Sequence, residues 1–283
     1  MAELLKGKPV ADALDEATRM QAEALSKRGI TPTLAILRVG EREDDLAYER
    51  GATKRCEKDG VQVVKKVLPA DCSQDDLMTA IKELNEDDSV HGILMFRPLP
   101  HSLDEKKACE AILPSKDADG ITSGSMAYVY SGIGEGYAPC TAQAVMEILK
   151  YYGIDPKGKN ATVVGRSLVI GKPVSMLLMN ANATVTICHS RTENMAKVTK
   201  NADIVVAALG KAEMLGKDYF EKDQTVIDVG INYSKEKQKL VGDVEINEVS
   251  DIVARITPVP GGVGSVTTAV LVSHVVEAAE KAL

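Results

Sequence analysis

The chain has 283 residues, 45% of them hydrophobic and 27% charged, which is material for a sizeable buried core and a length that suggests about two domains. Its formal net charge of −7 argues against a polyanion-binding surface, so nucleic acid is not an expected partner. Five cysteines (56, 72, 109, 140 and 188) are scattered singly and the four histidines show no i,i+4 pairing, a pattern that supports neither a metal site nor a redox dithiol.

No apolar run approaches the ~18 residues needed to span a bilayer, so no membrane segment is expected and the cytoplasm is the expected location. "PVADALDEATRMQAEALSKRG" has Pro near its start, apolar residues at helical spacing and Gly at its end, which predicts a helix. "TPTLAILRVG" predicts a short buried strand. A helix through 44–59, the strand "VQVVKKVLP", the helix "SQDDLMTAIKELNED" and the strand "HGILMF" follow, and strands alternating with helices at this spacing predict parallel βαβ units.

After the Gly-rich "SGIGEGYAPCT", a helix near Thr141 opens a second alternating series: "NATVVG", "NATVTICHS", "ADIVVAALG" and "QTVIDVG". These segments are short, Val/Ile-rich and continuously apolar, as expected of strands covered on both faces. The last twenty residues, "GSVTTAVLVSHVVEAAEKAL", predict a helix by length and periodicity. Neither low complexity nor a solenoid-length repeat interrupts the chain.

"VVGRSLVIGKP" follows a predicted strand and opens a predicted helix. Gly165, Arg166, Ser167 and Gly171 therefore sit where backbone N–H groups and a helix N-terminus can receive a pyrophosphate. The spacing is not a strict G-x-G-x-x-G, and a plain tight turn remains the alternative. The next strand ends "TICHSRT", without the acid that holds the adenosine ribose in NAD sites. Ser190, Arg191 and Arg166 can instead donate to a 2′-phosphate, which favours NADP over NAD, although Arg191 also fits a solvated surface charge.

Together, "VGRSLVIGKPVSMLL", "ATVTICHSRT", "VIDVGIN", "GDV" and "TPVPGGVGSVTTA" resemble the methylenetetrahydrofolate dehydrogenase/cyclohydrolase family from the first helix to the last. The resemblance implies an α/β chain of two domains, usually paired as a homodimer. Residues 1–140 plus the returning C-terminal helix 264–283 would form a folate-binding catalytic domain. Residues 141–263 would form a Rossmann-type NADP domain, with folate in the cleft between the two. It further implies oxidation of 5,10-methylenetetrahydrofolate, then opening of the methenyl product by water. Tyr48 and Asp119 match the family's catalytic and folate-binding positions, Pro260, Gly261 and Gly262 its folate-side loop, and Ile231 its nucleotide side.

Other positions depart from the family. Its Tyr-x-x-x-Lys lysine falls on Ala52, the Gln of its "VQLPLP" on Phe96, and a serine three residues before the tyrosine on Asp45. The paired apolar exchange at 52 and 96 removes a buried amide that would have lost its partner, at a cost of roughly 1–3 kcal/mol, so specialisation is favoured over decay. Of the nearby charges, Arg55 shares the tyrosine's helix face but lies further along the axis, and Arg97 is expected to face away if the strand pleat persists. Asp45 sits beside Tyr48 at i,i+3, yet also fits an ordinary first-turn carboxylate. The resulting expectation is an NADP-dependent dehydrogenase with weak or absent cyclohydrolase activity, hydrolysis being left to a separate cyclohydrolase. A fully bifunctional enzyme using Asp45 or Tyr48, and a folate- and nucleotide-binding pseudoenzyme, are the alternatives.

Overall fold

The computed structural model describes all residues, Met1–Leu283. A short strand β1 (Glu3–Leu4) and helix α1 (Gly7–Ser26) lead into β2 (Thr33–Val39), α2 (Glu43–Lys58), β3 (Gln62–Leu68), α3 (Gln74–Glu86), β4 (Gly92–Met95), α4 (Glu105–Ala111) and α5 (Ser123–Ser131). The second series runs α6 (Cys140–Tyr151), β5 (Asn160–Val164), α7 (Gly171–Asn180), β6 (Thr184–Cys188), α8 (Met195–Lys200), β7 (Ile204–Ala207) and β8 (Thr225–Asp228). After it come a hairpin of β9 (Asn232–Ser234) and β10 (Lys239–Val241), then α9 (Ile246–Val249), β11 (Arg255–Ile256) and α10 (Thr267–Lys281). The α/β class and the two parallel series expected from the sequence are both present.

The chain divides into two compact units. One comprises Ala13–Cys140 with Thr268–Leu283, the other Met1–Asp12 with Thr141–Thr267. The first twelve residues thus group with the second series, a departure from the expected boundary. The physical reason is that β1 pairs in parallel with β11, Glu3 opposite Arg255 and Leu4 opposite Ile256. A two-residue strand carries too little local pattern to be seen in the sequence.

The three-stranded unit has the parallel order β3-β2-β4. Central β2 is buried at all seven positions, whereas edge strand β3 alternates and carries Lys65 and Lys66, charges that discourage edge-to-edge pairing. Leu37, Leu77, Ile81, Ile93 and Met95 share one core, each such side chain contributing about 1.5–3 kcal/mol on burial. Helix α3 starts with a reciprocal capping box: Ser73 Oγ accepts from Asp76 N at 3.1 Å while Ser73 N donates to the Asp76 carboxylate at 2.9 Å, worth about 1 kcal/mol. Helix α2 has no side-chain cap at Arg42 and instead places Glu43, Asp44 and Asp45 in its first turn, where the helix dipole favours negative charge.

The six-stranded unit has the all-parallel order β1-β11-β8-β7-β5-β6. Its core gathers Val164, Val205, Val226, Phe220 and Ile256. Strand β6 departs from the expectation of cover on both faces: it is an edge strand with only Cys188 buried. The β9–β10 hairpin and the short helices α4, α5, α8 and α9 lie outside the expected elements, being too short for a periodic signal. No helix is long and apolar enough to cross a membrane.

Candidate active site

In the three-stranded unit, α2 carries Tyr48 one turn before Ala52. Ala52 lies with Glu49 and Cys56 on the buried stripe of the helix, while Tyr48 is 42% exposed. Phe96, at the end of β4, meets the Tyr48 ring edge-on, with centroids 5.7 Å apart and planes at 83°. Such a T-shaped pair adds about 0.5–1.5 kcal/mol beyond area burial. Phe96 therefore braces the tyrosine.

The Tyr48 hydroxyl bonds Thr268, at the start of α10. Burial of the hydroxyl end, followed by the charges of Asp119 and Cys140, pushes the phenol well above its ordinary value. Tyr48 therefore stays protonated across the neutral range and can serve as a hydrogen-bond donor. Asp119 follows Asp117 in the loop after β4 and α4. Asp117 is fully buried and spends both oxygens on the loop itself, accepting from Ile121 N at 3.0 Å and Thr122 N at 2.8 Å. Asp119 makes no such closure. Burial pushes its carboxyl up to about 6, opposed by Arg97, reinforced by Asp117 and offset by the Cys140 thiol that donates to it.

Arg97 is a correction. Its guanidinium lies 3.9 Å from the Asp119 carboxylate instead of facing away, because β4 ends at Met95 and the strand alternation stops before Arg97. Arg55 is bound to Asp15 at 2.5 Å. Asp45 occupies the first turn of α2 with Arg42 3.9 Å away, so the arrangement anticipated as its structural alternative is present. Cys140 and His274 are further residues that sequence reasoning left unassigned. His274 Nδ1 donates to the Ala118 carbonyl at 2.9 Å, with Cys140 Sγ 3.9 Å from the ring nitrogen. The signal was "APCT" beside the Gly-rich stretch, but only the fold brings position 274 to it.

In the six-stranded unit, β5 is flanked by β6 on one side and β7 on the other. That reversal of strand order makes the carboxyl ends of β5 and β7 a topological switch point, the place where α/β sheets open a crevice for ligands. Gly165, at φ +144°, turns the chain out of β5, and a Cβ there would run into the Ala208 carbonyl that follows β7. A Cβ on Gly171 would likewise collide with the Gly165 carbonyl. The loop is thus a backbone-lined cradle at the N-terminus of the ten-residue α7. Arg166 and Ser167 are exposed on it, and Ser167 Oγ accepts from Ile170 N at 3.1 Å.

Ser190 and Arg191 are exposed in the turn after β6. The turn is pinned by His189, whose N–H donates to Thr192 Oγ1 at 2.8 Å and whose Nδ1 accepts from Arg191 N at 3.1 Å. Backbone cradle, helix N-terminus and two exposed guanidiniums suit a phosphorylated dinucleotide. Pro260, Gly261 and Gly262 line a cavity of about 230 Å³ together with Asp228, Gly230 and Ile231, so Ile231 sits with the loop given to folate by the resemblance.

Asp228 and Asp243, in the quoted "VIDVGIN" and "GDV", form a clasp behind that cavity. Asp228 accepts from Gly230 N at 2.9 Å, Asp243 N at 3.0 Å and Val244 N at 2.9 Å. Asp243 accepts from the successive N–H groups of Leu209, Gly210 and Lys211 at 2.6, 3.0 and 2.8 Å, and from the Asn232 amide at 2.9 Å. Each aspartate packs where the other's neighbouring glycine has no side chain: a Cβ on Gly230 would strike Asp243, and one on Gly242 would strike Asp228.

Residues 5–119 match the family profile described as tetrahydrofolate dehydrogenase/cyclohydrolase, catalytic domain, and residues 139–283 its NAD(P)-binding domain. The chain is 52% identical over 281 residues to a protein of Carboxydothermus hydrogenoformans named bifunctional protein FolD, covering 99% of this chain and 98% of that one. It is 49% identical to the protein of the same name from Clostridioides difficile, over 98% and 96% of the two chains. Among solved structures, the bifunctional enzyme FolD of Campylobacter jejuni superposes with a TM-score of 0.95 at 37% identity over the whole of both chains. The Trypanosoma brucei dehydrogenase-cyclohydrolase, complexed with NADP and an inhibitor, does so at 0.90 with 33% identity over 99% and 98%. These relatives carry bifunctional names at up to 52% identity over nearly their full length. The expectation of a weak or absent cyclohydrolase step, inferred from Ala52 and Phe96, is overturned by that finding.

Proposed function

The chain belongs to the tetrahydrofolate dehydrogenase/cyclohydrolase family, and from that premise we propose that it is a bifunctional enzyme. It oxidises 5,10-methylenetetrahydrofolate with NADP and hydrolyses the methenyl product to 10-formyltetrahydrofolate. The observation that carries the reading is the Tyr48, Phe96, Asp119 and Arg97 cluster, in which one carboxylate is kept from closing on its own loop. The nucleotide, when bound, supplies the acceptor for the hydride leaving the methylene carbon. The loop 165–171 would hold its pyrophosphate, and Arg166, Ser190 and Arg191 its 2′-phosphate.

Asp119 receives the pterin edge, accepting from a ring N–H and the exocyclic amine together, a bidentate charge-assisted arrangement. Tyr48, kept protonated by its surroundings, donates a hydrogen bond at the reacting end and is braced by Phe96 and Thr268. Ala52 offers no base, so hydrolysis needs another group to take a proton from water. Asp45, one turn before Tyr48 and loosely paired with Arg42, is assigned that role. Water adds its oxygen to the methenyl carbon as one of its protons leaves to the carboxylate; the second proton passes to N5 as the carbon–N5 bond opens and the formyl C=O forms on N10.

We also assign the working unit as a homodimer, checked by light scattering at assay concentration. The test of the main reading is to supply purified methenyltetrahydrofolate and follow its absorbance where spontaneous hydrolysis is slow, in parallel with NADPH formation from methylenetetrahydrofolate. Both signals should depend on enzyme. Asp45→Ala should slow the first by about 10²-fold while sparing the second, since general-base catalysis contributes on that order. Hydrolysis no faster than the buffer control would remove the second activity, and the absence of both enzyme-dependent hydrolysis and NADPH formation would leave a binding protein.

A further inference from the structure

Asp119 stands in an environment hostile to a carboxylate. Its side chain is mostly withdrawn from water, at 27% exposed, Asp117 lies two residues away, and the Tyr48 phenol and the Cys140 thiol face it from α2 and from the start of α6. Burial first and the Asp119 charge second push both of those groups up, so they face the carboxylate as neutral groups and supply no positive charge. The cations of α2, and Arg42 at its N-cap, are committed elsewhere or exposed. Arg55 and Lys58 hold Asp15 at 2.5 and 2.8 Å, Arg42 donates to the Pro98 carbonyl at 3.0 Å, and Arg50 and Lys54 are exposed.

One cation remains. Arg97 comes from the segment after β4, 28% exposed, with its guanidinium 3.9 Å from the Asp119 carboxylate. That spacing supplies attraction without a tight bidentate closure, which leaves the carboxylate oxygens available to a ligand. Arg97 also faces the buried Cys109 thiol, which offers it no competing charge at neutral pH.

We propose that Arg97 is a positioning residue of the folate site, which keeps Asp119 ionised and open towards the pterin edge and provides the site cation that Ala52 does not. This rests on the reading of Asp119 as the folate-binding carboxylate. Arginine suits the task because its charge survives desolvation at any physiological pH. Lysine at the same place would retain the charge with a shorter reach.

The experiment measures kcat/KM for methylenetetrahydrofolate against pH in wild type, Arg97→Gln, Arg97→Lys and Asp119→Asn, with saturating NADP. Asp119 must be ionised to accept, so wild type loses folate efficiency as pH falls through about 6. Removing the guanidinium should move that acid limb up by about one pH unit in Arg97→Gln, as loss of an opposite charge within ~4–6 Å does, chiefly through KM. Arg97→Lys should restore the limb towards wild type.

A uniform loss at every pH, or an unmoved limb in Arg97→Gln, would overturn the proposal while leaving the function intact. Wild-type folate KM in Asp119→Asn would overturn the reading beneath it. Should Arg97→Gln not fold, the carboxyl carbon signal that Asp119→Asn deletes from the NMR spectrum is followed in wild type and Arg97→Lys. A titration that added salt, by screening the guanidinium, fails to move upward would equally sink the idea, whereas Arg97→Lys should leave it near its wild-type position.

Discussion

Asp119 in the three-stranded unit and Asp228 in the six-stranded unit are both aspartates that burial pushes upward, to about 6 and about 7. Their surroundings differ in kind. Asp228 is filled by the chain itself, with three backbone N–H groups at 2.9–3.0 Å. Asp119 has one thiol donor and an arginine at 3.9 Å. A perturbed carboxylate is therefore not by itself a sign of chemistry: where the backbone supplies every donor the group is structural, and where donors are missing it awaits a ligand.

The largest effect that separates the two kinds should come from the clasp. Asp243→Ala strands three successive N–H groups and the Asn232 amide, each costing about 1–3 kcal/mol when buried and unpaired. A loss of about 4 kcal/mol or more is expected in urea titration, with the nucleotide KM raised because the loop after β7 is released. Asp119→Ala should do the reverse, leaving the unfolding free energy from urea titration within ~1 kcal/mol of wild type while lowering folate kcat/KM by about 10²-fold or more. Equal stability losses in the two variants would erase the distinction.

Gly230→Ala and Gly242→Ala probe the clasp from the opposite side. Each adds a methyl against the other strand's carboxylate, and about 1–3 kcal/mol of destabilisation is expected, as for overpacking elsewhere. On the nucleotide side, Arg166→Ala and Arg191→Ala should each raise the NADP KM by about tenfold and the NAD KM little, since an exposed charge-assisted contact to a 2′-phosphate is all that is removed. A parallel rise for both nucleotides would break that assignment.

The smallest effect is a slope. Asp228 binds its proton more tightly folded than unfolded, whose carboxyl has the ordinary value near ~3.9. Between about 4 and about 7 the folded state therefore carries more protons, and stability falls as pH rises through that window, flattening above it. Asp228→Asn should remove the slope. Asp119→Asn should leave that slope at Asp228 in place and act instead on the acid limb of folate turnover.

Much of this was legible in the chain. The βαβ alternation is written in short Val/Ile runs between helical periods, and "VVGRSLVIGKP" marks its own cradle because a turn at Gly165 and the close approach at Gly171 tolerate no side chain. Tyr48 and Asp119 were found through motifs, as was the change at Ala52. That change misled when read alone. A missing lysine announces a lost step only if nothing else can carry the charge or the proton, and one-dimensional spacing cannot say what approaches from another element.

Tertiary structure decided the rest. Arg97 turns towards Asp119 because the strand ends two residues earlier, which no periodicity reveals. β1 joins the second sheet across 250 residues of sequence through two residues of pairing. Thr268 and His274 reach Tyr48 and Cys140 only because α10 packs into the three-stranded unit. Local sequence determined the elements, the glycine turns and the kind of ligand chemistry on offer, since those depend on neighbours within a helical turn or a tight loop. Which charges face one another is set by long-range packing, and for this protein that is where the carboxylate with open acceptors is told apart from the one that is closed.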